Sequence, residues 1–261
     1  MKRKLYCAMV TPFNDNDEID FEVLDDLVKR IIDTHDGVVI AGSTGEGESL
    51  TSEEFERLIK YYKKYSFEKI ICINEDCTHK VISKIKMLNL GDDYKYLIRV
   101  PGYYLPTDKG IIKHFSTIFN AFPNKQFIIY DIKKRTNSKL NKEIINELIC
   151  YENFIGIKEC QLDESLIKEF SNLISIYSGD DLYCADYIKY GCDGLISVFS
   201  IADPCFFRNM VDFDTTVESN NKMFKEDLEK LIVKELNPIG IKRWLKQKGY
   251  QSMNLRLPLV Y

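Results

Sequence analysis

The chain has 261 residues, which is long enough for one α/β barrel or for two ordinary domains. Apolar residues make up 45% of it and charged residues 29%, a composition typical of globular proteins. The net charge of −4, with acids and bases interspersed, argues against a nucleic-acid partner, and no apolar stretch is long enough to predict a membrane span.

The N-terminal residues and the cysteines indicate a cytoplasmic protein. Residues 1–4 are basic, but a strand-like run follows them without the small-residue cleavage site of a signal peptide. The eight cysteines are scattered and include no CxxC pair, and the three histidines are far apart. We therefore expect reduced, mostly buried thiols, and neither disulfides nor a zinc site.

Short apolar runs alternate with segments whose apolar residues recur at helical spacing. The runs that predict strands are residues 5–13, 37–42, 69–74, 95–100, 126–132, 154–160, 174–178 and 194–199. The segments that predict helices are residues 21–34, 51–65, 77–89, 108–121, 141–150, 163–172, a segment ending near 190, 202–212, 215–235 and 238–248. Asp20 is placed to cap the first helix, and Thr51 begins the second with acidic residues in its first turn.

Eight strands that are each followed by a helix predict a parallel sheet, because such alternation places helices against the sheet faces. Eight units of this kind close most naturally into a (β/α)8 TIM barrel, which we assign to residues 1–213. Residues 214–261 are then a helical C-terminal extension. A doubly wound open sheet is the alternative, but the sequence has no GxGxxG dinucleotide fingerprint to support it.

The functional prediction starts from the predicted strand over residues 154–160. Alternate residues of a strand face opposite sides, so Gly156 and Lys158 share a face, and Ile155 and Ile157 share the other. If the isoleucines meet the helices, Lys158 points into the barrel interior, where burial favours the neutral amine. A neutral amine can attack a carbonyl and form a Schiff base. A lysine that only extends to water at a strand end is the alternative.

Other candidate residues follow the carboxyl ends of predicted strands, where barrels place their active sites. Tyr130 ends strand five, beside the strand of Lys158, and a phenol there can act as a proton shuttle. Arg135 lies five residues further on, in a loop with two lysines that suits an anionic substrate. Ser43 and Thr44 lie in a turn of small residues, where backbone N–H groups can approach a ligand. An ordinary turn and a solvated basic loop are the alternatives.

In their order and spacing these motifs resemble the dihydrodipicolinate synthase/N-acetylneuraminate lyase family over nearly the whole chain. The motifs are Thr11-Pro12-Phe13, Gly42-Ser43-Thr44-Gly45-Glu46, Tyr103-Tyr104, Tyr130 through Arg135-Thr136, Gly156-Ile157-Lys158-Glu159, Ser178-Gly179-Asp180-Asp181, Gly194-Leu195-Ile196-Ser197-Val198, Asn237-Pro238 and Leu255-Arg256-Leu257-Pro258. Members of this family are class I aldolases on (β/α)8 barrels that bind pyruvate through a lysine. The resemblance therefore implies both the fold and a pyruvate-dependent reaction.

The resemblance also implies the catalytic roles. Lys158 matches the Schiff-base lysine, and Tyr130 matches the tyrosine that serves as general acid and base. Ser43 and Thr44 match the pair that holds the pyruvate carboxylate and relays protons. Tyr104 matches the tyrosine that reaches across a tight dimer interface to complete the relay of the neighbouring subunit.

Three further residues match substrate-binding positions, and one of them indicates the second substrate. Gly179 and Ile196 match residues that line the pyruvate pocket. Arg135 matches the arginine that holds the carboxylate of aspartate 4-semialdehyde, the second substrate of the synthase branch, which works in lysine and diaminopimelate biosynthesis. Ser43 is more typical of the lyase branch, but it keeps a hydroxyl, so Arg135 has more weight.

The resemblance further implies a homodimer or homotetramer that needs neither a metal nor an organic cofactor, because pyruvate binds covalently to Lys158. Lysine should inhibit weakly or not at all, because Asp76 and Lys80 stand where lysine-sensitive members have an asparagine and a glutamate. Another pyruvate-dependent aldolase of the family is the first alternative. A barrel that binds pyruvate without turnover is the second.

Overall fold

A computed structural model of the chain describes residues 2–91, 93–212 and 235–261. Its eight strands form a closed barrel in which they follow one another in chain order. The strands are β1 (Lys4–Ala8), β2 (Gly37–Ile40), β3 (Glu68–Ile73), β4 (Tyr94–Arg99), β5 (Gln126–Asp131), β6 (Phe154–Glu159), β7 (Ser175–Ser178) and β8 (Gly194–Ser197). The pairs β1–β2 and β3 through β8 are parallel. The predicted (β/α)8 TIM barrel is therefore confirmed.

Helices separate the strands, and their starts follow the predicted capping residues. The described helices are α1 (Phe21–Ile31), α2 (Ser52–Tyr61), α3 (Thr78–Leu88), α4 (Asp108–Ala121), α5 (Lys133–Thr136), α6 (Lys142–Leu148), α7 (Glu164–Phe170), α8 (Cys184–Tyr190), α9 (Pro204–Asp212) and α10 (Ile239–Gln247). The carboxylate of Asp20 accepts hydrogen bonds from two amides at the start of α1, and Thr51 forms a capping box with Glu54 at α2. These contacts satisfy N–H groups that have no partner inside a helix.

The structure differs from the predicted elements in two places. The strand predicted over residues 5–13 ends at Ala8, although Met9 and Val10 are buried, because an apolar run indicates burial and not strand geometry alone. The loop predicted around Arg135 is wrong, since residues 133–136 form the single helical turn α5. The predicted boundary at 213–214 and the predicted helix over 215–235 lie outside the described residues, apart from residue 235.

The chain divides into two compact units. The first comprises Met1–Phe67 and Ser197–Tyr261, and the second comprises Glu68–Ile196. In the second unit the strands are buried on both faces, as Ile128 and Ile129 on β5 show by their complete burial. Burial on both faces is what a parallel sheet covered by helices requires.

Candidate active site

Lys158 and Tyr130 lie side by side near the carboxyl ends of β6 and β5. They are register partners in the parallel pairing of these strands, and they are only 6% and 5% exposed. The Nζ atom of Lys158 lies 4.5 Å from the centroid of the Tyr130 ring. The structure thus brings together an amine and a phenol in a site where little water competes, an arrangement that suits proton transfer.

Gly179 leaves the space through which the side chain of Lys158 runs. Its amide donates a 2.7 Å hydrogen bond to the carbonyl of Glu159, which places it directly against β6. A Cβ atom at this position would lie 2.7 Å from Cε of Lys158 and closer still to Sγ of Cys160. Both separations are far below van der Waals contact, so a larger residue at this position would have to displace the side chains of Lys158 and Cys160.

Ile196 lies on β8, which pairs with β7, the strand that Gly179 follows. The β7–β8 register aligns Ser178 with Leu195, and Gly179 and Ile196 are the residues that follow this pair. Ile196 is completely buried. The site therefore brings together Lys158, Tyr130 and Gly179. Ile196 lies on β8, at the same level as Gly179.

The loop that carries Tyr104 packs closely on the helical turn that carries Arg135. A Cβ atom on Gly102 would lie 2.6 Å from Cβ of Thr136, so the two backbones approach each other without room for a side chain. The rings of Tyr103 and Tyr104 are 5.1 Å apart, edge to face, and these residues are 81% and 78% exposed. Arg135 is also exposed. This close packing makes α5 and the tyrosine loop one surface of the second unit.

The carboxylate of Asp76, which is half-buried, forms hydrogen bonds with the same tyrosine loop. Its Oδ1 atom accepts a 2.7 Å hydrogen bond from the amide of Gly102, and its Oδ2 atom accepts one of 3.2 Å from Arg99. The carboxylate that the sequence places at the family's lysine-inhibition site therefore already has partners in this chain. Weak or absent inhibition by lysine stays a prediction.

In the first unit, Ser43 and Thr44 lie in a compact turn after β2. The amide of Gly47 donates a 3.1 Å hydrogen bond back to the carbonyl of Gly42, and a Cβ atom on Gly47 would overlap the carbonyl oxygen of Ala41. Thr44 is buried and Ser43 is half-buried. The small residues of this motif are therefore needed for the turn itself, whatever ligand it holds.

Sequence reasoning did not single out the charged residues that support this turn. Glu46, 4% exposed, forms an ion pair with Lys242 of α10, which is completely buried. The other oxygen of Glu46 accepts a 3.0 Å hydrogen bond from the amide of Arg256, and Lys242 donates one of 2.8 Å to the carbonyl of Asn254. Burial lowers the pKa of Lys242 to about 8, and the carboxylate of Glu46 opposes this shift. Glu46 and Arg256 both belong to the motifs named above, so their presence there was the available signal.

Comparison with known proteins decides the family. The model of the "Dihydrodipicolinate synthetase family" matches residues 1–261. The chain belongs to this family. The resemblance predicted from the motifs is therefore confirmed over the whole chain.

Relatives within the dihydrodipicolinate synthetase family support the same assignment. The 4-hydroxy-tetrahydrodipicolinate synthases of Karelsulcia muelleri (strain GWSS) and Coxiella burnetii (strain Dugway 5J108-111) are 33% and 32% identical, and each alignment covers 97% of this chain and 90% of the relative. The solved structure of the chloride-inhibited dihydrodipicolinate synthase from Acinetobacter baumannii, complexed with pyruvate, superposes with a TM-score of 0.88 at 27% identity. That alignment covers 100% of this chain and 93% of the other.

Within residues 2–91, 93–212 and 235–261, no three His, Cys, Asp or Glu side chains are grouped so that they can hold a metal ion. None of the helices in these same ranges combines the length and the apolar content that crossing a membrane requires.

Proposed function

We propose that the chain condenses pyruvate with aspartate 4-semialdehyde to give 4-hydroxy-tetrahydrodipicolinate, in lysine and diaminopimelate biosynthesis. The observation that carries this proposal is the buried amine of Lys158, 4.5 Å from the ring centroid of Tyr130. Membership of the family and the names of the relatives support the same reaction.

The proposed reaction begins with attack by Nζ of Lys158 on the ketone carbon of pyruvate. Tyr130 protonates the resulting hydroxyl, water leaves and an imine forms. Loss of a methyl proton then gives an enamine, whose carbon attacks the aldehyde of the second substrate. The amino group of that substrate finally displaces Lys158 from the imine carbon, so the product cyclises and the free amine returns.

The remaining site residues bind substrate or move protons in this proposal. Ser43 and Thr44 hold the pyruvate carboxylate, and Thr44 passes protons between Tyr130 and Tyr104. The imine nitrogen withdraws electrons in place of a metal or an organic cofactor, so the proposed reaction needs none. Each step is completed by groups of the substrates or of the chain.

The second substrate is held by Arg135 in this proposal. A guanidinium matches a carboxylate with two parallel hydrogen bonds, and aspartate 4-semialdehyde carries a carboxylate. Gly179 and Ile196 line the pyruvate pocket. The close approach of Gly179 to the side chain of Lys158 supports the assignment of Gly179.

We further propose a homodimer or homotetramer in the cytoplasm. Tyr104 is 78% exposed, which suits a side chain that contacts a second subunit. Cys77, Cys150 and Cys205 are exposed free thiols, which suit a reducing compartment. We expected mostly buried thiols, and four of the eight, Cys7, Cys72, Cys184 and Cys192, are buried.

Trapping with borohydride tests the proposed chemistry. Sodium borohydride added with pyruvate should reduce the imine, stop turnover and leave a pyruvate-derived adduct that peptide mass spectrometry places on Lys158. The Lys158→Met variant should take up no adduct. Lys69→Met is the matched control, because Lys69 is also a buried strand lysine, 8% exposed, but lies at the opposite, amino end of its strand β3. This variant should still be labelled at Lys158.

Labelling of another lysine, or no labelling, would exclude Lys158 as the Schiff-base residue. Turnover with aspartate 4-semialdehyde, measured against sugar-acid aldehydes, separates the synthase from other aldolases of the family. An adduct on Lys158 without turnover of any aldehyde would favour a barrel that only binds pyruvate.

A further inference from the structure

The ends of β5 and β6 carry a second pair of titratable residues directly after Tyr130 and Lys158. Asp131 and Glu159 are the last residues of the two strands, and they are register partners. Because successive side chains of a strand alternate between faces, both carboxyls lie on the side opposite to Tyr130 and Lys158. They are 1% and 0% exposed.

The carboxyl of Glu159 is fully used as a hydrogen-bond acceptor. Its Oε1 atom accepts a 2.7 Å hydrogen bond from the amide of Gln161, and its Oε2 atom accepts one of 2.9 Å from the amide of Leu162. Oε2 also accepts a hydrogen bond from the hydroxyl of Tyr187 on α8. Burial raises the pKa of Glu159; these three donors oppose that rise and fix the turn that follows Lys158.

In the part of the chain that the structure describes, only one oxygen of the Asp131 carboxyl accepts a hydrogen bond. Its Oδ2 atom accepts a 3.1 Å hydrogen bond from the amide of Leu140, which closes the segment that carries Arg135. Its Oδ1 atom has no hydrogen-bond partner among the described residues. An ionised oxygen is costly in a buried place without a donor, so Asp131 is the member of the pair that retains a proton.

The surroundings of Asp131 favour the same protonation state. Burial raises the pKa of Asp131 to about 7, and the charge of Glu159 adds to this rise. The amide of Leu140, the side chain of Gln161 and the ammonium group of Lys139 oppose it. Cys160 is the other titratable group near this carboxyl, and burial keeps its thiol protonated by raising its pKa. Asp131 therefore titrates near neutral pH beside a second buried carboxyl, Glu159, whose pKa burial also raises.

We propose that Asp131 and Glu159 are positioning residues, and that the neutral, protonated carboxyl of Asp131 allows the ends of β5 and β6 to keep the register that brings Tyr130 to Lys158. When Asp131 ionises, two buried negative charges on neighbouring strands repel each other, and the strand ends separate. The inference rests on the proposed role of Lys158.

The Asp131→Asn variant tests the proposal, because asparagine keeps the shape of the protonated acid and cannot ionise. The folded pKa is raised, so the proton is present below about pH 7 and is lost as the pH increases. The ratio of kcat of the wild-type protein to kcat of the variant should be near one at pH 6. It should fall about threefold or more by pH 9, with a midpoint near pH 7.

Asp193→Asn is the matched control. Asp193 directly precedes β8, and its carboxylate accepts a 2.9 Å hydrogen bond from the amide of Ile176. It therefore makes the same kind of contact at the other end of a strand. The ratio of the wild-type kcat to the kcat of Asp193→Asn should not change between pH 6 and pH 9. Working with ratios removes every pH effect that the proteins have in common, including the ionisation of Tyr130 and of the substrates.

A second measurement uses the wild-type protein and does not depend on the folding of a variant. In protein labelled with ¹³C at the aspartate carboxyl carbon, one resonance should titrate with a midpoint near pH 7, and it should be absent from Asp131→Asn. A ratio of kcat that does not depend on pH, or the absence of a near-neutral aspartate resonance, would overturn the proposal. Borohydride trapping of pyruvate on Lys158 separates the outcomes: if the adduct forms, such a result removes only the role of the carboxyl pair.

Discussion

At the scale of single residues, Gly179 determines where the amine of Lys158 can lie. We expect Gly179→Ala to lower kcat by about tenfold to a hundredfold, because the added Cβ would lie 2.7 Å from Cε of Lys158 and must displace it. Steady-state assays and the rate of borohydride trapping would both measure this loss. Trapping should slow in parallel with turnover, because the imine forms on Nζ, which is bonded to the displaced Cε atom.

Gly110→Ala is the control for this substitution. Its Cβ would meet its nearest neighbour, on Pro106, at 3.4 Å, which is ordinary contact, and Gly110 lies in the first turn of α4. We expect unchanged activity and a gain in stability of about 0.5–1 kcal/mol, because alanine is a better helix former. A folded Gly179→Ala protein with wild-type kcat would contradict the steric role of Gly179.

The sequence alone could predict the inward residues of β5 and β6 but not the outward ones. Alternation along each strand predicts the face of Lys158, and adjacency of the strands predicts that Tyr130 is its neighbour. Asp131 and Glu159 lie on the opposite faces, where a sequence shows only that a carboxyl ends each strand. Packing between elements that are distant in the chain buries these two carboxyls and aligns them across the strands. It also leaves Oδ1 of Asp131 without a hydrogen-bond partner among the described residues.

At the scale of elements, the C-terminal segment of the first unit holds the turn after β2. The ammonium of Lys242 lies 4.4 Å from the ring centroid of Phe13, and the guanidinium carbon of Arg256 lies 4.1 Å from it. Arg256 also forms an ion pair with Glu54 of α2. With the ion pair between Lys242 and Glu46, these contacts connect α10 and the residues after it to the turn that contains Ser43 and Thr44.

Lys242→Met should therefore destabilise the protein strongly. Removing the cation leaves the carboxylate of Glu46 buried without its charged partner, and breaking a buried ion pair in this way costs about 3–5 kcal/mol. Urea unfolding would measure the change. Lys246→Met on the exposed side of the same helix α10 is the control, and it should cost less than about 1 kcal/mol.

A double variant shows whether the loss comes from the ion pair. Lys242→Met combined with Glu46→Gln should recover part of the stability, because the unpaired charge is gone. Equal stability of the Lys242→Met and Lys246→Met proteins would contradict the structural role of the pair. The sequence could not predict this contact, since Glu46 and Lys242 are separated by most of the chain and α10 has the pattern of an ordinary amphipathic helix.

At the scale of the whole molecule, the regular alternation of strands and helices was sufficient to predict the barrel. Local patterns predicted the order of the elements because each strand is short and apolar and is followed by a helical segment. They failed where local and tertiary signals differ, as in the basic segment around Arg135. There the turn α5 ends at Thr136 and is followed by Asn137, which adopts a left-handed backbone conformation with φ of 55°.

The proposed contribution of Tyr104 to the site of the neighbouring subunit can be tested by mixing two variants of low activity. Lys158→Met lacks the amine, and Tyr104→Phe should lose about tenfold or more in kcat because it lacks a hydroxyl for the proton relay. In a mixed dimer, the subunit that keeps Lys158 receives Tyr104 from its partner and regains one complete site. Equal mixing after dissociation gives half mixed dimers, so activity should return to about a quarter of the wild-type value. If Tyr104 instead serves the site of its own chain, mixing restores nothing, and activity stays at the average of the two separate variants.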